Sequence, residues 1–278
     1  MIFKTLQDTS IEDLTAAFNA AFKNYFVTIN FTPEQLLEKF KVDGVKLNLS
    51  IGAFEENKLI GFIFHGTNDE VENLIAYNTG TGVVPEYRGK HLVTNMYEFI
   101  FPVLKDAEVK KIVLEAITEN EKAIRVYKRL NFSITRKVDC YKGSISMNDE
   151  LLEHIVLQKD EIDNAVVKSF WDFQPAWQNS FYAIEKQPEN ITNLIVEKED
   201  RIVGYLILNH VSGRIMQFAA HKAYRMHGIG TVLFRKAAEL KKELMLINID
   251  NEAKTTSVFL KSLGFKQYIS QYEMELSL

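Results

Sequence analysis

Tyr224-Arg225-Met226-His227-Gly228-Ile229-Gly230-Thr231 lies between an apolar run ending Met216-Gln217-Phe218-Ala219-Ala220 and a helical pattern over residues 231–241. The order reads as a strand, a short basic turn and a helix that begins on glycines. A helix N-terminus offers unpaired backbone N–H groups and the positive end of its dipole, and glycines let a diphosphate approach that backbone closely. The spacing fits neither the Gly-x-x-x-x-Gly-Lys-Ser/Thr loop nor the dinucleotide Gly-x-Gly-x-x-Gly turn. An ordinary helix start also explains a glycine near a turn, so the reading depends on context.

The context is a repetition. Val84-Pro85-Glu86-Tyr87-Arg88-Gly89-Lys90-His91-Leu92-Val93 has the same layout, with Arg88 falling against Arg225. Asn57-Lys58-Leu59-Ile60-Gly61-Phe62 falls against Asp200-Arg201-Ile202-Val203-Gly204-Tyr205, and Leu130-Asn131-Phe132 against Leu263-Gly264-Phe265. Three landmarks in one order mark a duplicated domain, and the period is too long for a solenoid, so each copy is expected to bury its own core. The polar, glycine-containing segment 142–150 is the expected boundary, giving domains 1–143 and 150–278.

Composition narrows the classes. At 278 residues with 46% apolar and 25% charged residues, the chain suits two soluble globular domains. No apolar run reaches the ~18 residues that span a bilayer, and the first residues lack a signal peptide's apolar region, so the expectation is cytoplasmic with no membrane partner. A net charge of −4 argues against nucleic-acid binding. The single cysteine, Cys140, excludes an internal disulfide and reads as a small packed residue, and the six histidines form no metal-ligand grouping. A homodimer is compatible with these features.

The first copy begins with a helix start at Ser10 and apolar residues Leu14, Ala17, Phe18, Ala21 and Phe22 at helical spacing. An aromatic bend, Tyr25-Phe26 to Phe31, precedes a strong helix cap at Thr32-Pro33-Glu34-Gln35. Strands are expected over 50–55, 59–66 and 76–84, with Glu56-Asn57-Lys58 as a hairpin turn. Gly80-Thr81-Gly82 inside the third strand suggests a bulge or a close backbone approach. Pro102 is expected to kink or shorten the helix after the loop. A strand over 111–117, a helix over 119–127 and a strand over 133–141 complete the copy.

Strand, Arg-x-x-Gly-x-Gly and helix resemble the acyl-CoA pyrophosphate loop of the GNAT superfamily of N-acetyltransferases, and the resemblance covers nearly the whole chain as two such domains. It implies an α/β (α+β) fold, each copy a twisted, mixed and mostly antiparallel sheet flanked by helices. Leu114-Glu115-Ala116-Ile117-Thr118-Glu119-Asn120, with Ala123, Tyr127 and Asn131-Phe132, is similar to the ribosomal-protein N-terminal acetyltransferases of that superfamily. On that likeness Glu115 is the general base, Tyr127 the general acid and Asn120 a cofactor-arm ligand. The implied cofactor contacts are Val83, Val84, Arg88, Gly89, Lys90, His91, Leu92 and Val93 in the first copy. In the second they are Phe218, Ala219, Arg225, Met226, His227, Gly228, Ile229, Gly230 and Thr231.

The chemistry suits those residue types. An alkyl amine with a pKa near ~10 is mostly protonated at neutral pH, so a carboxylate must free its lone pair, and a phenol beside the sulfur can protonate the departing thiolate. Strand amides near Val83 and Val84 would hold the thioester oxygen as charge develops there. Each copy departs from the pattern differently. His91 and Val93 stand where the loop expects glycine or a small residue, whereas counting back from Phe265 puts Asn248, Ala253 and Leu260 at the places of Glu115, Asn120 and Tyr127. The second copy also carries Phe173, Trp177, Phe181 and Tyr182, which read as a packing cluster or as an acceptor lid. The expected function is acetyl-CoA-dependent acetylation of a primary amine on a small molecule or peptide. The rival reading is a non-catalytic acyl-CoA-binding or scaffolding protein.

Overall fold

Two hairpins open the two sheets, and both turn through a pair of non-glycine residues in the left-handed region: Glu56 and Asn57 at φ 49 and 65, and Glu199 and Asp200 at φ 52 and 57. Such two-residue turns match the twist of antiparallel strands, and here they fix the register of both sheets. The computed structural model describes residues 1–23, 25–27, 29–68, 74–145 and 154–278. Residues 146–150 of the expected boundary, and Leu151, lie outside the described residues. The chain forms two compact units, Met1–Thr135 with Tyr272–Leu278, and Arg136–Gln271.

In the first unit the order is β1 (Ile2–Thr5), α1 (Ile11–Phe22), α2 (Pro33–Asp43), β2 (Ile51–Glu55), β3 (Lys58–Thr67), β4 (Ile75–Val83), α3 (Leu92–Asp106), β5 (Lys111–Ile117) and α4 (Glu121–Arg129). Ser10 caps α1 by accepting the Asp13 amide, and Thr32 and Gln35 form the capping box that starts α2 at Pro33. Strands β1 to β4 pair antiparallel in sequence order. β4 and β5 then run parallel, paired only from Ile75–Lys111 to Asn78–Leu114. Beyond that point no pairing joins them, and a gap opens between the strand ends. Phe18, Leu36 and Phe40 bury one sheet face against Phe62 and Phe64. Met96, Ile100, Leu104, Ile124 and Tyr127 cover the other against Ile112, Leu114 and Ala116. α3 does not stop early: Pro102 lies inside it. The proline removes one backbone donor, while Met96, Ile100 and Leu104, all at 0% exposure, anchor the helix on both sides of it.

β6 (Ser133–Gly143) starts in the first unit and enters the second at Arg136. The second unit continues with β7 (Val156–Lys159), α5 (Asn164–Lys168), α6 (Phe181–Glu185), β8 (Ile191–Lys198), β9 (Arg201–Asn209), β10 (Arg214–Ala220), α7 (Ile229–Leu240), β11 (Leu244–Asp250), α8 (Lys254–Ser262) and β12 (Lys266–Ser277), whose residues from Tyr272 belong to the first unit. Strands β7 to β10 pair antiparallel, and β11 pairs antiparallel with β6. In the first unit Ser133 and Thr135 hydrogen-bond to the carbonyls of Glu275 and Glu273, and Lys111 pairs with Glu275 at 2.9 Å. The first unit thus takes Tyr272–Leu278 from the end of the sequence into its sheet, and the second takes in β6 from Arg136 onward. α5 is short: Asp163 accepts the Ala165 and Val166 amides and starts it, and it ends at Lys168. Between β10 and β11 only one parallel pair forms, Arg214–Met245. Their separation therefore begins at the start of the strands. No helix among the described residues is long and apolar enough to cross a membrane.

Candidate functional site

The two loops share one construction on different residues. Arg225 donates through Nε to the Ala220 carbonyl (3.2 Å) and through a terminal nitrogen to the Phe170 carbonyl (3.0 Å), and it pairs with Asp172 at 2.9 Å. Arg88 donates through Nε to the Val83 carbonyl (3.1 Å) and through a terminal nitrogen to the Ala21 carbonyl (2.8 Å). Both arginines, expected as cofactor contacts, thus pin the loop to the strand before it and to the segment before the sheet. Backbone turns also correspond. Met226 and Gly228 take φ 63 and 80, and Gly89 and His91 take φ 79 and 57. His91 adopts the left-handed cap conformation that glycine holds in the second unit, so its side chain does not divert the path of the loop. Histidine is among the side chains that tolerate this region.

Room around the helix N-termini differs. A Cβ built at Gly228 would meet nothing within 4 Å, whereas one at Gly230 would lie 2.8 Å from the Phe259 ring. Gly228 therefore keeps the start of α7 open, and Gly230 lets Phe259 pack against it. In the first unit Val93 fills the second position and packs against the core with Leu92. Lys90 lies over the Tyr87 ring, 4.8 Å from its centroid. His227 donates from Nδ1 to the Arg225 carbonyl at 2.8 Å, and His154 Nε2 donates to the His227 carbonyl at 2.6 Å.

Backbone pairing decides which strand amides are available. The Val84 amide donates to the Ile60 carbonyl and the His221 amide to the Val203 carbonyl, both at 2.9 Å. Val84 thus has no amide to offer a thioester oxygen, contrary to the expectation from sequence. Alternation along the strand turns the Val83 and Thr81 amides toward the gap in the first unit, and the Ala220 and Phe218 amides in the second. Ala219 takes its place in the ladder opposite Tyr205.

A cavity of about 460 Å³ fills the gap in the second unit. Phe218, Ala219, Arg225, Met226, Gly228, Ile229, Gly230 and Thr231, all expected from sequence, line it; His227 does not. Of the aromatic residues read as a packing cluster or a lid, Phe173 lines it and Trp177, Phe181 and Tyr182 do not; the wall that Trp171, Gln217 and Asn179 add was not singled out. Trp171 donates to the Tyr205 hydroxyl at 2.6 Å, Tyr205 to Gln217 at 3.2 Å, Gln217 to the Asn179 carbonyl at 2.6 Å, and Asn179 to the Ile247 carbonyl at 2.8 Å. Burial pushes the Tyr205 phenol well above its usual range, so it stays a neutral donor. Asn248, which stands where the first copy has Glu115, sits in a β11 bulge at φ 57 and accepts from Gln271 at 2.7 Å. Leu260, at the place of Tyr127, is fully buried.

In the first unit a hydrogen-bonded cluster stands beside the parting of β4 and β5. The Asn78 amide donates to the Tyr97 hydroxyl at 2.6 Å and to Thr81 at 2.7 Å, and Tyr127 hydrogen-bonds with Thr81. Burial raises Tyr127 to about 12, so it is a neutral phenol at any working pH. Glu115 lies on the opposite sheet face from Leu114 and Ala116 and accepts the Tyr77 hydroxyl at 2.6 Å. The structure thus sets Glu115 and Tyr127 at one strand separation but on opposite faces of the sheet. Asn120 caps α4 by accepting the Ala123 amide at 3.2 Å and donates to Tyr25 at 3.3 Å. Its side chain joins the helix to the aromatic bend. Among the described residues no group of three or more His, Cys, Asp or Glu could hold a metal.

A twisted sheet whose central strands part beside a loop-and-helix start, built twice, defines a duplicated acyltransferase-type α/β fold. The sequence matches the acetyltransferase (GNAT) family over residues 12–132 and again over 159–265, and the chain belongs to that family. A GCN5-related N-acetyltransferase from Sphaerobacter thermophilus shares the fold with a TM-score of 0.74 at 14% identity, over 99% of this chain and 95% of that one. A tandem GNAT protein from the clavulanic acid biosynthesis pathway gives 0.70 at 9% identity, over 99% and 98%. Eis1 from Mycobacterium abscessus gives 0.55 at 13%, over 99% and 73%. At these identities the likeness is one of fold. No curated protein sequence matches the chain significantly.

Proposed function

We propose that the protein is an acetyl-CoA-dependent N-acetyltransferase acting on a primary amine of a small molecule or peptide, and that the second unit holds the acetyl-CoA. The observation that carries this reading is the cavity between β10 and β11, which ends on the open, glycine-capped start of α7. The amides from Gly228 to Thr231 would take the diphosphate, at the end of the helix where the dipole favours negative charge. The Phe218 and Ala220 amides would hold the thioester carbonyl and stabilise the charge on its oxygen as the amine adds, a contribution of about 3 kcal/mol per donor in comparable sites. The test is acetyl transfer from acetyl-CoA to a panel of amines by wild type and Gly228→Val. Turnover that is lost in the variant supports the reading. Binding of acetyl-CoA with no transfer to any amine supports the non-catalytic rival.

A second reading keeps catalysis in the first unit, with Glu115 as base and Tyr127 as acid. It is favoured by the half-buried position of Glu115 where β4 and β5 part, and by the Tyr127 phenol held against Thr81 at the same separation. Glu115→Gln and Tyr127→Phe test it: turnover falls at least 100-fold if these groups move the protons, following the usual size of acid–base contributions.

A further inference from the structure

In both units the same bond locks a hairpin to the loop that follows it. One residue is bulged out of the strand register: Ile60, between the pairs Ala53–Gly61 and Phe54–Leu59, and Val203, between Val196–Gly204 and Glu197–Ile202. The carbonyl of that residue accepts the amide that opens the loop, Val84 or His221, at 2.9 Å. The last strand residue before each turn is therefore carried to the same place beside the loop. That residue is Glu55, opposite Lys58, in the first unit and Lys198, opposite Arg201, in the second. The charge at this place is reversed between the copies.

Each of the two residues meets the tyrosine of its loop. Tyr87 donates its hydroxyl to Glu55, and its phenol is raised first by that hydrogen bond, then by desolvation and by the charges of Glu55, Glu56 and Glu86. The cation over its ring is Lys90, from the loop itself. In the second unit the hairpin supplies the cation: Lys198 Nζ lies 5.4 Å from the centroid of the Tyr224 ring. Tyr224 lines the cavity together with Gly228 and the first residues of α7, so the exposed Lys198 stands at the rim of that cavity. The loops sharpen the contrast, with Lys222 and Ala223 where the first copy has Pro85 and Glu86. Glu199 and Arg201 repeat Glu56 and Lys58, and Asp200 replaces Asn57. Because Asp172 pairs with Arg225, the positive excess beside this loop comes from Lys198 and Lys222. It lies next to a helix start whose dipole already favours anions.

We propose that Lys198, brought to the rim by the β8–β9 hairpin, is a phosphate-binding residue of the acyl-CoA site, an inference that rests on the second unit holding the acyl-CoA. The flexible stem of a lysine lets its ammonium leave the Tyr224 ring for a phosphate oxygen without moving the backbone. The experiment is calorimetric titration of acetyl-CoA into the full-length protein and into Lys198→Glu, Lys198→Arg, Lys58→Glu and Gly228→Val. It is run at about 50 mM and about 500 mM NaCl, between which the screening length falls from roughly 14 Å to roughly 4 Å. At the lower salt Lys198→Glu is expected to bind about tenfold more weakly than wild type and Lys198→Arg within about twofold of it. At the higher salt the loss in Lys198→Glu should shrink to about twofold. Lys58→Glu makes the same change of net charge on the hairpin of the first unit and should leave binding unchanged. If Gly228→Val abolishes binding, the proposal is overturned by wild-type affinity in Lys198→Glu at the lower salt, by an equal loss in Lys58→Glu, or by a loss in Lys198→Glu that persists at the higher salt, which marks a structural defect. Failure of acetyl-CoA to bind, or binding that Gly228→Val leaves intact, overturns instead the reading of the second unit on which the proposal rests.

Discussion

In the second unit the parted strands enclose a cavity that runs to an open helix start; in the first, Asn78, Thr81, Tyr97 and Tyr127 form a hydrogen-bond cluster beside the point where β4 and β5 part. Both units keep the same loop path, the same arginine latch and the same hairpin turn. What separates them is the bulk of a few side chains: Gly228 against His91 and Gly230 against Val93 at the loop, and Leu260 against Tyr127 beneath it. One backbone design can thus be retained for packing in one copy while the other keeps the room a ligand needs. Glu115 and Tyr127, the pair proposed for acid–base chemistry, and the glycine-capped loop fall in different copies.

The largest expected effect concerns His65 in β3, fully buried, with Nδ1 donating to the Leu49 carbonyl at 2.9 Å and Nε2 without a partner among the described residues. Burial lowers it to about 4 from 6.5. The unfolded imidazole takes up a proton below pH 6.5 and the folded one does not until about 4, so stability present above 6.5 is lost as pH falls toward 4, by roughly 3 kcal/mol. Leu208 stands at the matching place in β9. Urea unfolding at stepped pH, followed by hydrogen exchange in each unit, should show this acid slope in the first unit and its absence in His65→Leu. An equal slope in that variant would contradict the assignment.

The arginine latches come next. Arg88→Ala and Arg225→Ala each leave loop and segment carbonyls without their charged donor and should cost about 2 kcal/mol in urea unfolding. Only Arg225→Ala should also weaken acetyl-CoA binding, by at least tenfold, because only that loop borders the cavity. A smaller effect is expected from His91→Gly. Relieving the left-handed backbone at φ 57 should raise stability by about 1 kcal/mol and create no second acetyl-CoA site, since Val93 and the Asn78–Tyr97 cluster remain. A second equivalent bound by His91→Gly would mean that the loop alone controls the site.

Local features were legible in the sequence. Ser10, the Thr32–Gln35 box, the Glu56-Asn57 turn and the strand–loop–helix pattern around Arg225 depend on neighbours a few residues away, and the structure holds them where the pattern put them. Long-range choices were not. Nothing local in 266–278 says that Tyr272–Leu278 completes the sheet beside β5, because strand pairing is decided by partners far along the chain. The end of α5 at Lys168 leaves 170–175 to form the cavity wall, and that depends on how Arg225 holds Phe170 and Asp172 from a loop some fifty residues away. The bulge at Asn248 is equally hidden: substitution of a glutamate position by asparagine was visible, but its left-handed backbone was not.

The proposal that the second unit, and not the first, holds acetyl-CoA meets its sharpest test in calorimetric titration of acetyl-CoA into wild type, Gly228→Val and His91→Val. A side chain at Gly228 would be strained at φ 80 and would stand over the amides at the start of α7. The expected result is one equivalent in wild type, at least a 100-fold loss of affinity in Gly228→Val with folding intact by circular dichroism, and an unchanged equivalent in His91→Val. An equivalent that survives Gly228→Val and disappears in His91→Val would contradict it and place the cofactor in the first unit, beside Glu115 and Tyr127.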